Sequence, residues 1–174
     1  MSEKSQAQLL KDRLFKENKN GYFRASENDI DSAFDFANGY SKFLNESRTE
    51  RIFVKNAITL AENHGFTEFD RSKTYAPGDK VYVNNRGKAL MLCVIGKEPI
   101  SNGVMIAAAH IDSPRIDLKA NPLYENDGLA YFKTHYYGGI KKYQWVAIQL
   151  ALHGVICKKD GTVVNVCIGE KDSD

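Results

Sequence analysis

Val104-Met105-Ile106-Ala107-Ala108-Ala109-His110-Ile111-Asp112-Ser113-Pro114 is the stretch on which the reading of this chain turns. Six apolar residues run straight into a histidine, an aspartate follows two positions later, and Ser-Pro stops the run. An uninterrupted apolar run of this length suits a strand covered on both faces. Three alanines would also suit a helix, but Gly103 and Pro114 leave too little room for one. The spacing therefore predicts a buried strand over residues 104–109 with His110 at its carboxyl end, where open α/β sheets bind their ligands. Neutral imidazole is the commonest protein metal ligand, and its second ring nitrogen needs an orienting acceptor. In extended chain Asp112 leaves on the same side as His110 and can hold that tautomer or polarise a bound water. Taken alone, the pattern also fits a buried structural histidine before an ordinary Asp-Ser-Pro turn. A zinc site needs three or four protein ligands, and this stretch offers fewer.

Upstream, residues 1–25 are polar, with a short helix expected over residues 8–15. Ser26 and Asp29 form a capping pair, and Ile30, Ala33, Phe34, Ala37, Tyr40, Phe43 and Leu44 follow at helical spacing. Ser47 with Glu50 predicts a second capping box, ahead of a stripe of Phe53, Ala57, Leu60 and Ala61. Asn63-His64-Gly65 reads as the stop of that helix, with His64 a C-terminal cap rather than a catalytic residue. The period then changes to two. Strands are expected at residues 80–83 and 89–95, joined by the turn Asn84-Asn85-Arg86-Gly87-Lys88. Two helices ahead of a mostly hairpin-built sheet predict a mixed α/β or α+β core.

Downstream of Pro114 the character changes. Residues 118–124 are turn-rich, and strands are expected at 129–134, 145–150, 154–158 and 162–168. Lys159-Asp160-Gly161 joins the last two with a strong hairpin signal. A domain boundary is expected near residue 118. The chain breaks off after a strand, with nothing in this β-rich segment to close a sheet.

The 174 residues can bury a sizeable core, and 43% apolar and 11% aromatic content is that of a globular protein. A net charge of +2 argues against nucleic acid or an anionic membrane as partner. No apolar run approaches a membrane span, and Met1-Ser2-Glu3-Lys4-Ser5 lacks the apolar core of a secretory signal. Cys93, Cys157 and Cys167 sit in strand-like sequence without C-x-x-C spacing. They read as reduced, buried thiols of a cytoplasmic protein.

Among other candidates, Thr134-His135-Tyr136-Tyr137-Gly138-Gly139 stands out as an aromatic loop with two glycines. Its spacing is not that of a nucleotide-binding glycine loop, and its histidine fits either a site or an open surface. Lys141 and Lys142 read as solvated, Trp145 as a core or interface anchor, and His153 as structural. Asp117 and Glu125 could be carboxylate ligands, but resemble turn and surface acids as closely. No Ser or Cys has the setting of a nucleophile.

With His110-Ile111-Asp112-Ser113-Pro114 and Thr134-His135-Tyr136-Tyr137-Gly138-Gly139 together, the chain resembles the aspartyl aminopeptidase / aminopeptidase I family of dinuclear zinc exopeptidases. Arg115-Ile116-Asp117-Leu118-Lys119, Asn121-Pro122-Leu123-Tyr124-Glu125, Ile140-Lys141-Lys142-Tyr143-Gln144-Trp145 and Leu150-Ala151-Leu152-His153-Gly154-Val155-Ile156 extend the resemblance, which is continuous from about residue 26. It implies a mixed α/β zinc-peptidase catalytic domain, of which residues 1–118 are the N-terminal part. Residues 119–174 would be the start of an inserted β-rich dimerisation domain. His110 then matches a zinc ligand and Asp112 the catalytic acid that orients it. His135 matches a histidine that reaches a neighbouring subunit's active site. The implied activity is removal of N-terminal amino acids, acidic or neutral, from peptides by water that two zinc ions activate. The implied assembly is a dimer built into a dodecamer.

The remaining metal ligands and the general base of the family would lie beyond Asp174, so this chain carries part of the site. Two expectations follow. Either the parent protein is a cytoplasmic zinc aminopeptidase of which this is the N-terminal portion, or the chain as it stands is a non-catalytic folding and assembly module. An unrelated β-rich binding protein is a third and weaker reading.

Overall fold

The structure is a computed structural model that describes residues 4–16 and 20–171. The chain divides into two compact units, Met1–Lys42 and Phe43–Asp174.

In the first unit, α1 (Gln6–Leu14) opens with a capping box between Ser5 and Gln8. A 3-10 turn at Gly21–Phe23 leads to α2 (Glu27–Asn45), which runs on into the second unit. The expected pair caps it: Ser26 N–H donates to the Asp29 carboxylate, and Asp29 N–H donates to Ser26 Oγ. Much of the apolar stripe of α2 is open to solvent. Phe34, Phe36 and Tyr40 are exposed, and none of the helix's residues is buried.

The second unit holds the core. Its first helix, α3 (Glu50–Asn63), is capped by Thr49, whose Oγ1 accepts the Ile52 N–H. The expected Ser47–Glu50 box does not form. Ser47 is buried and accepts a hydrogen bond from Asn56 Nδ2, while Glu50 is drawn to Arg115. At the other end His64 is the cap as expected, with Nδ1 2.8 Å from Leu60 O, and Gly65 takes φ +82°. Strand β1 (Thr67–Glu68) pairs in parallel with β2 (Lys80–Asn85). β2 pairs antiparallel with β3 (Ala89–Val94) around a turn whose Arg86 and Gly87 are both left-handed. Among the described residues, Val54 and Ala61 of α3 and Val81 and Tyr82 of β2 are the buried apolar ones, and the Tyr82 hydroxyl donates to Glu62 at 2.9 Å.

Residues 104–109 depart from expectation. They have no regular secondary structure and pair with no strand among the described residues, and Met105 is fully exposed and Ile106 82% exposed. A strand buried on both faces needs a neighbour along its edges and a layer over each face. Apolar composition makes a segment fit to be covered, but it supplies no cover.

The stretch expected to be turn-rich is instead β4 (Arg115–Asn126), paired with β5 (Leu129–Tyr137) in a two-stranded ribbon. The register shifts between Leu118 and Leu123. Asn121-Pro122 falls within that shift, where proline's missing N–H costs no ladder bond. His135, Tyr136 and Tyr137 belong to β5 rather than to a loop, and turning waits for Gly138 at φ +75°. Trp145 ends a single helical turn, α4 (Lys142–Trp145), where a strand was expected. β6 (Leu152–Cys157) and β7 (Val163–Ile168) form the expected hairpin, closed by Lys158 N–H to Thr162 O and by Gly161 at φ +84°. The three cysteines are free, but they are exposed rather than buried, because the hairpin strands that carry them are open to solvent.

Candidate functional site

His110 stands at the end of the unpaired run, in the link that leads to β4. Its Nδ1 lies 2.9 Å from the backbone oxygen of Asp112 and 3.2 Å from that residue's Oδ1. With the ring proton on Nδ1, the imidazole donates to both, and Nε2 is the nitrogen left for a ligand. The ring is 83% exposed. The structure thus brings the two residues of the His-x-Asp spacing into contact.

The second Asp112 oxygen is held from a distance in sequence. Tyr137, the last residue of β5, donates its hydroxyl to Asp112 Oδ2 at 2.7 Å. That bond, more than any other influence, holds the Asp112 carboxyl below the usual carboxylate range. The same bond, with the carboxylate's charge, pushes the Tyr137 hydroxyl upward. Arg115, at the start of β4, stacks on Tyr137 with its guanidinium carbon 4.1 Å from the ring centroid. Its Nε donates to Asp117 Oδ1 at 2.7 Å, and its Nη1 lies 2.9 Å from Glu50 Oε1 at the start of α3. Partial burial works to lower the Arg115 pKa, but the hydrogen bond to Asp117 and the Glu50 charge outweigh it, and the net direction is upward. Gly138 lies against Pro114, where an added Cβ would be 3.4 Å from the proline Cα. The His-x-Asp-Ser-Pro link is thereby clamped by the base of the ribbon.

A cleft of about 1050 Å3 runs past these residues. His110, Asp112, Arg115 and Tyr137 line it, with Arg51 and Lys55 of α3. His135 does not line it. That residue is exposed on β5, with its Nδ1 3.1 Å from Tyr136 O. Among the other sequence candidates, Asp117 pairs with Arg115 and Glu125 accepts the Gly128 N–H of the ribbon turn. His153 lines the same cleft as His110, with its Nε2 2.9 Å from Glu170 Oε1. Lys142 is not simply solvated, since its ammonium sits 4.0 Å from the centre of the Tyr136 ring.

Tyr137, Arg115 and Glu50 escaped the sequence reading. Tyr137 was legible only by alternation, because His135 and Tyr137 share a face once the segment is read as strand. The Glu50–Arg115 pairing joins residues 65 apart and leaves no local trace. As for a metal, the donor set fits one coordination position and no more. Among the described residues no group of three His, Cys, Asp or Glu side chains could hold an ion.

Comparison with known proteins follows the same outline. Residues 43–172 match the family described as aminopeptidase I zinc metalloprotease (M18). The chain is 50% identical over 165 residues to "Probable M18 family aminopeptidase 1" of Clostridium acetobutylicum, which covers 92% of this chain and 36% of that protein. It is 39% identical over 158 residues to the protein of the same name from Thermotoga maritima, covering 91% of this chain and 34% of that one. The crystal structure of aminopeptidase I from Borrelia burgdorferi superposes with a TM-score of 0.82 at 36% identity, over 90% of this chain and 39% of that one. The chain therefore spans about a third of the length of the relatives it matches, and it corresponds to their N-terminal part. A mixed helix-and-sheet fold, a match over three-quarters of the residues and half-identity with a relative establish that this chain belongs to the M18 family of aminopeptidases.

Proposed function

We propose that this chain supplies a zinc-ligand histidine, His110, and its orienting acid, Asp112, to an aminopeptidase that removes N-terminal residues from peptides. The observation that carries this reading is the His110–Asp112 contact inside the segment that matches the family. A carboxylate on Nδ1 fixes the tautomer and raises the basicity of Nε2 toward a metal. Zinc bound there would activate water and polarise the scissile carbonyl. The chain's own contribution is to hold one ligand in place, and the remaining ligands and the general base belong to the part of the relatives' length that it does not span. Two zinc ions per site are proposed on the family resemblance alone. Acidic N-terminal residues as substrates are supported by Arg51, Lys55 and Lys88, which line the cleft beside His110. Lys141 and Lys142 do not line it.

The reading keeps residues 1–118 as catalytic and 119–174 as the start of a dimerisation domain, with His135 directed to a neighbouring subunit and the whole built into dimers and a dodecamer. The exposed apolar residues of the β4–β5 ribbon, Leu123, Leu129 and Phe132 among them, support self-association. No helix among the described residues is long and apolar enough to cross a membrane, and the reading places the enzyme in the cytoplasm.

The test is production of this chain fused to, or together with, the remaining two-thirds of a relative such as the Clostridium acetobutylicum protein. The complemented pair should release N-terminal residues in a chelator-sensitive way, and His110→Ala should lower that rate by at least 100-fold. Release that ignores chelator, or survives His110→Ala, would refute the assignment. The second reading, a module with no activity of its own, draws on the single-ligand donor set. On either reading the isolated chain should bind zinc weakly and turn over no peptide.

A further inference from the structure

We propose that Tyr137 is a positioning residue for the metal-ligand site: its hydroxyl fixes the Asp112 carboxylate, so that the carboxylate's other oxygen faces His110 Nδ1. The proposal rests on the reading of His110 as a ligand for its purpose, but not for its geometry. Asp112 lies in a link with no regular secondary structure, where nothing in the backbone ladder restrains its side chain. One of its oxygens is taken by Tyr137 at 2.7 Å, and the other lies 3.2 Å from His110. The hydroxyl-to-carboxylate bond is charge-assisted and short, so it is the stronger of the two. Tyr137 is itself placed on three sides. β5 pairs it with Arg115 in register, the Arg115 guanidinium covers its ring, and Gly138 packs on Pro114. Arg115 is tied in turn to Glu50 on α3. The base of the β4–β5 ribbon and the first turn of α3 thus reach His110 through one tyrosine hydroxyl. A residue that acts this way works through the side chain whose aim it sets.

The test uses the full chain and nuclear magnetic resonance. In the native chain, three-bond couplings should show Asp112 in one χ1 rotamer, and His110 should carry its proton on Nδ1. Tyr137→Phe should leave the amide spectrum folded, average the Asp112 couplings over rotamers, and speed exchange of the His110 Nδ1 proton several-fold. Tyr136→Phe, which removes a hydroxyl from the opposite face of β5, should change neither. A folded Tyr137→Phe chain that keeps a single Asp112 rotamer and an unchanged His110 overturns the proposal. If Tyr137→Phe does not fold, Asp112→Ala reads the same bond from the other side. The Tyr137 ring carbon that bears the hydroxyl should then move toward the value of exposed Tyr22, and no movement overturns the proposal. Zinc added to the complemented pair described above, where the remaining ligands are supplied, separates the two ideas. If zinc leaves the His110 Nε2 signal untouched, the metal reading loses support, while the rotamer result stands.

Discussion

At the scale of the residue, the site depends on a few side chains whose partners are set by backbone position. Gly138 shows this most sharply. It sits at φ +75°, directly after Tyr137, and its backbone lies against Pro114. A side chain here must enter the left-handed region, at about 1–2 kcal/mol for a residue other than glycine. Gly138→Ala should therefore lower stability by roughly 1 kcal/mol, seen as a lower urea midpoint with an unchanged slope. An unchanged midpoint would show that residue 138 does not hold a left-handed backbone in solution. The charges act in the same local way. Arg115 answers Glu50 and Asp117 together while it covers Tyr137, so one guanidinium ties a helix start to a strand start.

At the scale of the element, capping decides where the helices begin, and it carries a pH signature. The Asp29 carboxyl is held below its ordinary range, first by the Ser26 backbone N–H and then by the Ser26 hydroxyl. A carboxylate whose folded pKa is depressed adds stability that is complete above the unfolded value of about 3.9. It loses that contribution as pH falls through the lower folded value. Helical circular dichroism of the native chain should therefore exceed that of Asp29→Ala above about pH 4, and the difference should close in stronger acid. A difference that is independent of pH would remove Asp29 from the cap. The same scale shows what sequence could and could not tell. Ser26-x-x-Asp29 named a helix start correctly because a capping pair is a contact between neighbours. Ser47-x-x-Glu50 has the same pattern but fails, because the neighbouring Thr49 caps α3 while Asn56 takes the serine and Arg115 takes the glutamate. Of these competitors Arg115 is distant in the chain, and local pattern could not weigh it.

At the scale of the whole molecule, the most consequential feature is apolar surface left uncovered. Residues 104–109 carry the composition of a core strand, yet Val104, Met105 and Ile106 are exposed. β3, the outer strand of its sheet among the described residues, shows Met91, Leu92 and Val94 to solvent. Met105→Ser should change the stability of this chain by no more than about 0.5 kcal/mol, as for a surface site. In a closed core, truncating a methionine costs about 2–5 kcal/mol. The same substitution should reduce binding of a hydrophobic dye and slow self-association measured by light scattering. A loss of 2 kcal/mol or more, on the scale of core substitutions, would show that the strand is buried in solution.

What the sequence determined by itself was whatever neighbours settle among themselves. It named the caps at Ser26 and His64, the hairpin turns at Arg86-Gly87 and Asp160-Gly161, and the contact of His110 with Asp112 two residues on. It also placed the chain near the M18 family through several motifs in order, a membership the comparisons then established. Tertiary structure alone decided that residues 118–124 belong to a strand rather than a turn, that the cysteines face solvent, and that Tyr137 and Arg115 join the candidate site. The reason is physical. A cap or a turn is a short-range bond whose partners share a few residues of chain, whereas cover for an apolar run, or a hydroxyl for a carboxylate, can come from anywhere the fold brings it.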